Sequence, residues 1–300
     1  MAASPMRLQR QIDSAVDLQA VVRAMKTQAA SGIAQYERSV AAVAGYANVV
    51  ELGLAAALRQ TREAATPRRR RPAAHEAMRR AIVFGSDQGL VGRFNENIAA
   101  LASRSLAAAR GPVDLWAVGD RVHSALESVG LSPQTALPVP SSVQGITGLV
   151  ANLLARVFDA DGSPHGDSSL QLCYNRPVPG SASMYESIVQ CLLPLNEAWR
   201  PALTARRWPT AQPPEVIGGV RPVLSALIRE HLYVCLFRAC ADSLASENAS
   251  RLAAMDRADS NIDKLLVGLQ GRFHRLRQGA IDEQLSDVTA GFRALMTADG

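Results

Sequence analysis

Proline placement constrains this chain more than any other feature. None occurs between Met6 and Thr66, none from Val223 to Gly300, and nearly all of the 16 prolines fall between those runs. An interior proline removes a helical hydrogen bond and clashes with the preceding turn, so proline-free runs this long permit very long helices. Apolar spacing predicts that they form. Ala29, Ile33, Tyr36, Val40, Val43, Ala47, Val50 and Leu54 alternate steps of four and three, the seam of a left-handed coiled coil. Ile262, Leu266, Leu269, Phe273, Leu276 and Ala280 repeat it, and Ile281, Leu285, Val288, Phe292 and Leu295 continue it. At 1.5 Å per residue each helix reaches on the order of 70–100 Å. Neither buries its stripe alone, so the economical arrangement is an antiparallel pair.

Six glycines (Gly32, Gly45, Gly53, Gly268, Gly271, Gly279) interrupt these helices at a cost in helix propensity. Close helix approach is the favoured reason for them, ahead of local bending. Composition agrees with long packed helices: 48% of residues are apolar but only 5% aromatic, so Ala, Leu and Val carry the core. The net charge of +5 suits an acidic partner surface. No apolar stretch is expected to reach the roughly 20 residues of a membrane span, and arginines without an apolar run near the start predict no secretory signal.

The middle reads as α/β. Strands are predicted at Ala81–Phe84, Val113–Val118, Ser169–Asn175 and Met184–Leu193, and helices at Asn95–Arg110, Arg121–Val129 and Val143–Phe158, the last capped by Ser141 or Ser142. Alternation of this kind implies a small, mostly parallel sheet with helices on it. The boundaries follow: an N-terminal coiled-coil helix in 1–66, a central α/β domain with linkers in 67–222, and a C-terminal coiled-coil helix in 223–300. The segment Pro194–Pro222, rich in Pro, Trp and Arg, is a connector.

Chemistry is harder to find. Gly85–Asn95 follows a strand and precedes a helix, where α/β proteins cradle phosphates. Its glycines match neither GxGxxG nor GxxxxGK[ST], so a plain strand-to-helix turn is the preferred reading. The five histidines lie in no nucleophile motif. Cys173, Cys191, Cys235 and Cys240 lack CxxC or His spacing, which favours reduced thiols over a zinc site. No catalytic residue, cofactor or metal is expected. Arg68–Arg71, between two prolines, is preferred as a solvated linker over a nucleic-acid or lipid contact. Two alternatives stay open at this point: a stand-alone nucleotide-binding α/β protein, and a coiled-coil adaptor using that basic tract.

Three segments carry a family resemblance. Ile12-Asp13-Ser14-Ala15-Val16 and Val22–Ala30 resemble "I-x-S-V" followed by "T-K-A-M-x-x-V-A-A". Ser86–Asn95 resembles "SDRGLCGGLN". Ala245–Asp256 is similar to "ASE-x-AARM-x-AMD", and Arg277–Val288 to "RQAAITQEISEIV". Together they resemble the gamma subunit of rotary F-type ATP synthases, in a divergent bacterial form of the kind expected from an alternative sodium- or proton-linked ATPase. The resemblance implies an antiparallel coiled coil of the two ends plus a central Rossmann-like α/β domain without a nucleotide site. It implies a shaft inside an alpha/beta hexamer, with an epsilon-type subunit and a membrane c-ring as further partners. No nucleic acid is implied, the membrane is reached only through partners, and the location is the cytoplasmic face of the bacterial inner membrane. By position, Arg277 and Gln278 match the pair that bonds acidic beta-subunit loops, and Arg23 and Met25 match the neighbourhood facing the moving beta-subunit lever. Residues 100–220 match almost nothing of the family pattern.

Overall fold

The computed structural model describes residues 5–63, 79–107, 112–158, 169–178, 180, 184–194, 203, 205–206, 208–212 and 214–298, with the backbone alone at 61–63 and 291–298. The Arg68–Arg71 tract lies outside them. The elements are α1 (Pro5–Glu63), β1 (Arg79–Phe84), α2 (Phe94–Ala107), β2 (Val113–Val118), α3 (Asp120–Ser128), β3 (Thr135–Leu137), α4 (Val143–Val157), β4 (Ser169–Pro177), β5 (Tyr185–Leu193) and α5 (Val220–Ala298). Helix α5 is 79 residues long and α1 is 59. Pro222 sits in the first turn of α5, where a missing N–H costs nothing. The chain divides into two compact units: residues 1–28 with 252–300, and residues 29–251.

The larger unit is a three-layer sandwich. Its sheet runs β3-β2-β1-β4-β5. Strand β1 pairs in parallel with β2 and β4, β2 pairs in parallel with β3, and β5 closes the sheet antiparallel to β4. Inner strands covered on both faces need no polar alternation, which is why Ala81-Ile82-Val83-Phe84 reads as one apolar run. Ala81, Val83, Leu115 and Ala117 pack under α2 and α3 against Ile98, Ala102, Val122 and Leu126. Ile82, Phe84, Trp116 and Val118 face Ile146, Val150 and Leu153 of α4 and Leu232, Leu236 and Leu244 of α5. Each such buried side chain contributes about 1.5–3 kcal/mol. Ser142 caps α4, its hydroxyl accepting from the Gly145 N–H at 3.3 Å. The three-residue β3 was missed; it is too short to show a pattern. So was Arg80, buried in β1 beside Asp114 of β2 at 3.8 Å.

In this unit Tyr36, Ala47, Val50 and Leu54 of the α1 seam are buried, and Ile33, Val40 and Val43 are half-buried. Close approach accounts for two of the six glycines: a Cβ on Gly32 would lie 2.9 Å from the Asn248 side chain, and one on Gly53 3.1 Å from Leu227. Gly45, Gly268, Gly271 and Gly279 have nothing within 4 Å, so crowding does not explain them. The connector is strapped to α1. Arg206 pairs with Glu51 at 2.8 Å and donates to Asn48, and Leu203 packs on Val50, Leu54 and Leu58.

The expectation about membrane-span length needs correction. The run from Ser39 to Leu58 carries Glu51 as its one charge, and α1 holds an 18-residue window of mean hydropathy 1.6. Val50, Leu54, Ala55 and Leu58 of this run are buried, so part of that apolarity is core.

The smaller unit is an antiparallel two-helix pair. Leu8, Ile12, Ala15 and Val22 of α1 are buried against Met255, Ile262, Leu266 and Leu269 of α5. Beyond it the seam does not continue as predicted: every residue from His274 to Ala290 is exposed, including Ile281 (50%), Leu285 (68%) and Val288 (73%).

Candidate partner-contact site

The two-helix unit carries a polar row beside its apolar seam. The buried amide of Gln19 donates to Asp259 at 3.0 Å and to Asp263 at 2.5 Å. Arg23 lies 3.3 Å from Asp259 and 4.0 Å from Asp263, and Lys26 lies 2.5 Å from Asp256. The paired numbers descend on one helix as they rise on the other, so the row fixes the antiparallel register. The Asp256 carboxylate raises the pKa of Lys26, and the Gln19 hydrogen bond lowers that of Asp259. The signal was in the sequence: Gln19, Arg23 and Lys26 at steps of four and three, facing Asp263, Asp259 and Asp256 at the same steps. Identity alone does not say which side chains face each other.

Of the expected contact residues, Arg23 is 60% exposed at its side chain and already engaged by Asp259. Met25 is half-buried against the seam cluster, between the helices. Arg277 and Gln278 stand fully on the exposed stretch of α5. About 20 Å of helix separates Asp263 from Arg277 at 1.5 Å per residue. The structure therefore presents two patches, one locked within the pair and one displayed.

In the larger unit the Gly85–Asn95 turn spends its polar groups inward. The Ser86 N–H donates to Asn95 Oδ1 at 3.0 Å, and Asn95 Nδ2 donates to the Ser86 hydroxyl at 2.9 Å. Asp87 accepts from the N–H groups of Asp120 (3.0 Å) and Val139 (2.9 Å), tying the ends of three strands together. Leu90 (φ 64°) and Gly92 (φ 60°) turn the chain through left-handed conformations. The Ser250 hydroxyl of α5 donates to the Val91 carbonyl at 2.6 Å, and Ser246 donates to Asn175, which itself donates to Phe94. Two of the sequence motifs thus touch one another: Ser86–Asn95 is held by the serines of Ala245–Asp256. These hydrogen bonds brace the fold.

Two acidic groups of α5 lie against this body. Glu247 is buried and pairs with Arg251 at 2.6 Å. Asp242 is pushed up to about 6 by burial, opposed by the nearby guanidiniums of Arg238 and Arg176. Cys173 and Cys240 are buried, and burial pushes the Cys173 thiol up to about 12; all four cysteines are unpaired.

A family model described as ATP synthase matches residues 4–295. The chain is 30% identical over 234 residues to an ATP synthase gamma chain of Syntrophus aciditrophicus, covering 74% of this chain and 76% of that one. It is 28% identical over 222 residues to the ATP synthase gamma chain of Polaromonas naphthalenivorans, covering 71% and 73%. Among solved structures, the central stalk and c-ring of the Tetrahymena thermophila mitochondrial ATP synthase holds a chain with TM-score 0.55 and 21% identity, covering 79% of this chain and 99% of that one. A chain of the Euglena gracilis mitochondrial ATP synthase gives TM-score 0.59 at 14% identity, covering 99% and 96%. At such identities these two establish the fold alone.

Proposed function

The chain belongs to the ATP synthase gamma-chain family, and on that premise we propose that it is the turning central shaft of a bacterial F-type ATP synthase or ATPase. It carries torque between ion flow through a membrane ring and ATP chemistry on beta subunits, and supplies no catalytic group of its own. Its partners are an alpha/beta hexamer, an epsilon-type subunit and a c-ring, and it sits peripherally on the cytoplasmic face of the inner membrane through them.

The observation that carries this reading is α5 itself. A locked two-helix pair gives stiffness, and the exposed stretch from His274 to Ala290 offers a displayed polar and apolar surface. Arg277 forms bidentate hydrogen bonds with carboxylates and Gln278 bonds with loop carbonyls, the chemistry of contact with acidic beta-subunit loops. Arg23 supplies a second cationic contact, and Met25 shapes the seam beneath it. A shaft with unlike faces presents a different face to each catalytic site at each step, so the sites differ in nucleotide affinity.

Co-expression with alpha and beta subunits tests the reading. The expected outcome is a hexamer containing one copy of this chain, with ATP hydrolysis that turns a bead fixed to the larger unit. Hydrolysis without rotation, or no co-assembly, would defeat it.

A further inference from the structure

In the larger unit, the carboxylate of Asp242 is set into the face where α5 meets the sheet, and nothing is bonded to it. It is half-buried, and among the described residues it has no hydrogen bond and no ion pair. Arg238, Asp242 and Ser246 follow one another at steps of four on α5, so they share one side of the helix. Ser246 finds its partner on β4, donating to the Asn175 carbonyl at 3.2 Å. Asp242 finds none. Arg176, the next residue of β4, is spent on the edge strand instead: its Nε donates to Glu186 Oε1 of β5 at 3.1 Å, and its Nη2 to the same oxygen. Arg238 is exposed and makes no ion pair among the described residues. Those two guanidiniums are the cations whose field reaches Asp242. Tyr174 of β4 also faces it, with Cys235 of α5 beside the ring, and burial pushes both groups up to about 12, so they stay neutral. From β5, Gln190 accepts from the Tyr174 hydroxyl at 3.2 Å.

We propose that Asp242 is a proton-operated clamp between α5 and the sheet edge: protonated, it lets β5 close over Tyr174 and Arg176, and ionised, it drives that edge open to water. A half-buried carboxylate without a partner costs free energy only when it is charged. Relief is nearest at β5, which has a neighbouring strand on one side only and buries none of Tyr185 to Cys191 completely. Lifting β5 also takes Glu186 away from Arg176, whose guanidinium then turns to Asp242. Burial holds the folded-state pKa at about 6, above the ordinary 3.8. The closed edge is therefore at full strength below pH 4, weakens as pH rises to about 6, and stays at that lower level beyond it.

Amide hydrogen exchange of the full chain, scaled to the intrinsic rate at each pH, reads this opening. From pH 5 to pH 7 the opening constant of the β5 amides is expected to rise about ten-fold, with β1 far better protected at both. Asp242→Asn should abolish the rise and hold β5 closed at both pH values. Glu186→Gln frees Arg176 for Asp242, so the rise should level off below pH 6. Exchange at β5 without this pH dependence, or a rise that survives Asp242→Asn, would overturn the clamp. So would equal opening constants at β1 and β5, which would mean that only global unfolding uncovers Asp242. A levelling point unmoved by Glu186→Gln would reduce Asp242 to a fixed burial cost and overturn the exchange of Arg176 between the two carboxylates. The clamp needs no partner subunit, so its failure would leave the shaft reading standing.

Discussion

Asn95 shows how much one side chain holds in this fold. It is 5% exposed and exchanges two hydrogen bonds with Ser86 across the strand-to-helix turn. Asn95→Ala leaves the buried Ser86 N–H without an acceptor, a loss of about 1–3 kcal/mol. The expected result is a lower denaturation midpoint of the purified chain with unchanged helix content at low temperature; an unchanged midpoint would show the pair to be dispensable. Asp242 makes the opposite case. Burial raises its pKa from 3.8 to about 6, so the folded state binds its proton more readily than the unfolded chain does. Its carboxylate therefore weakens the fold increasingly as pH rises from about 4 to 6, and by a constant amount above that. Asp242→Asn removes the penalty. The pKa of about 6 is already net of the Arg238 and Arg176 guanidiniums, so the gain at pH 7 is expected to be up to about 3 kcal/mol. Paired melts at pH 4 and pH 7 check it: stabilisation should appear only at pH 7.

At the scale of elements, the long helices and the sheet were legible because their signals are local. Proline-free runs and a four-three seam gave α1 and the inner part of α5, and an apolar run of four residues sufficed for β1. What stayed illegible depends on partners across space. The Gln19, Arg23 and Lys26 row looks like a solvated face until α5 is laid beside it. The outer seam of α5 looks like more coiled coil, because periodicity records an apolar stripe without recording what covers it. Arg277 and Gln278 were reached only through a motif, since no pattern of charge singles them out. The polar row itself is testable. The pKa of Asp259 is depressed, so its contribution is present above the ordinary carboxylate value near 3.8 and is lost as pH falls through the depressed one. Lys26, raised from 10.5, holds its share through neutral pH, where Asp256 is a carboxylate, and loses it on the alkaline side only at strongly alkaline pH. Asp259→Ala should accordingly lower the chain's melting midpoint at pH 7. The difference should shrink at pH 3 and in 1 M salt, where the exposed Arg23 pair is screened. An equal difference under all three conditions would mean that packing, not charge, is lost.

For the whole molecule, the chain's work is to be gripped by others, and its surface is arranged accordingly. Replacing both Arg277 and Gln278 by Ala should lower ATP hydrolysis or coupling of the assembled complex while leaving the isolated chain's melt unchanged. Unaltered activity would remove that contact and spare the shaft. The exposed apolar stripe just above leads to a sharper expectation. Ile281, Leu285 and Val288 repeat at steps of four and three on a helix with no α1 cover there, at exposures of 50 to 73%. A stripe of this kind belongs under a partner. Burying Leu285 alone is worth about 2 kcal/mol, and a carboxylate in its place adds desolvation. Leu285→Asp should therefore weaken binding to the alpha/beta hexamer by about 30-fold or more, at roughly 1.4 kcal/mol per tenfold. Because the side chain is 68% exposed in the free chain, the same substitution should leave that chain's melting midpoint within a degree or so of its original value. Affinity lost together with stability would point to a folding defect. Affinity kept would show that the stripe turns free in the complex, with the grip supplied by the arginine faces below it.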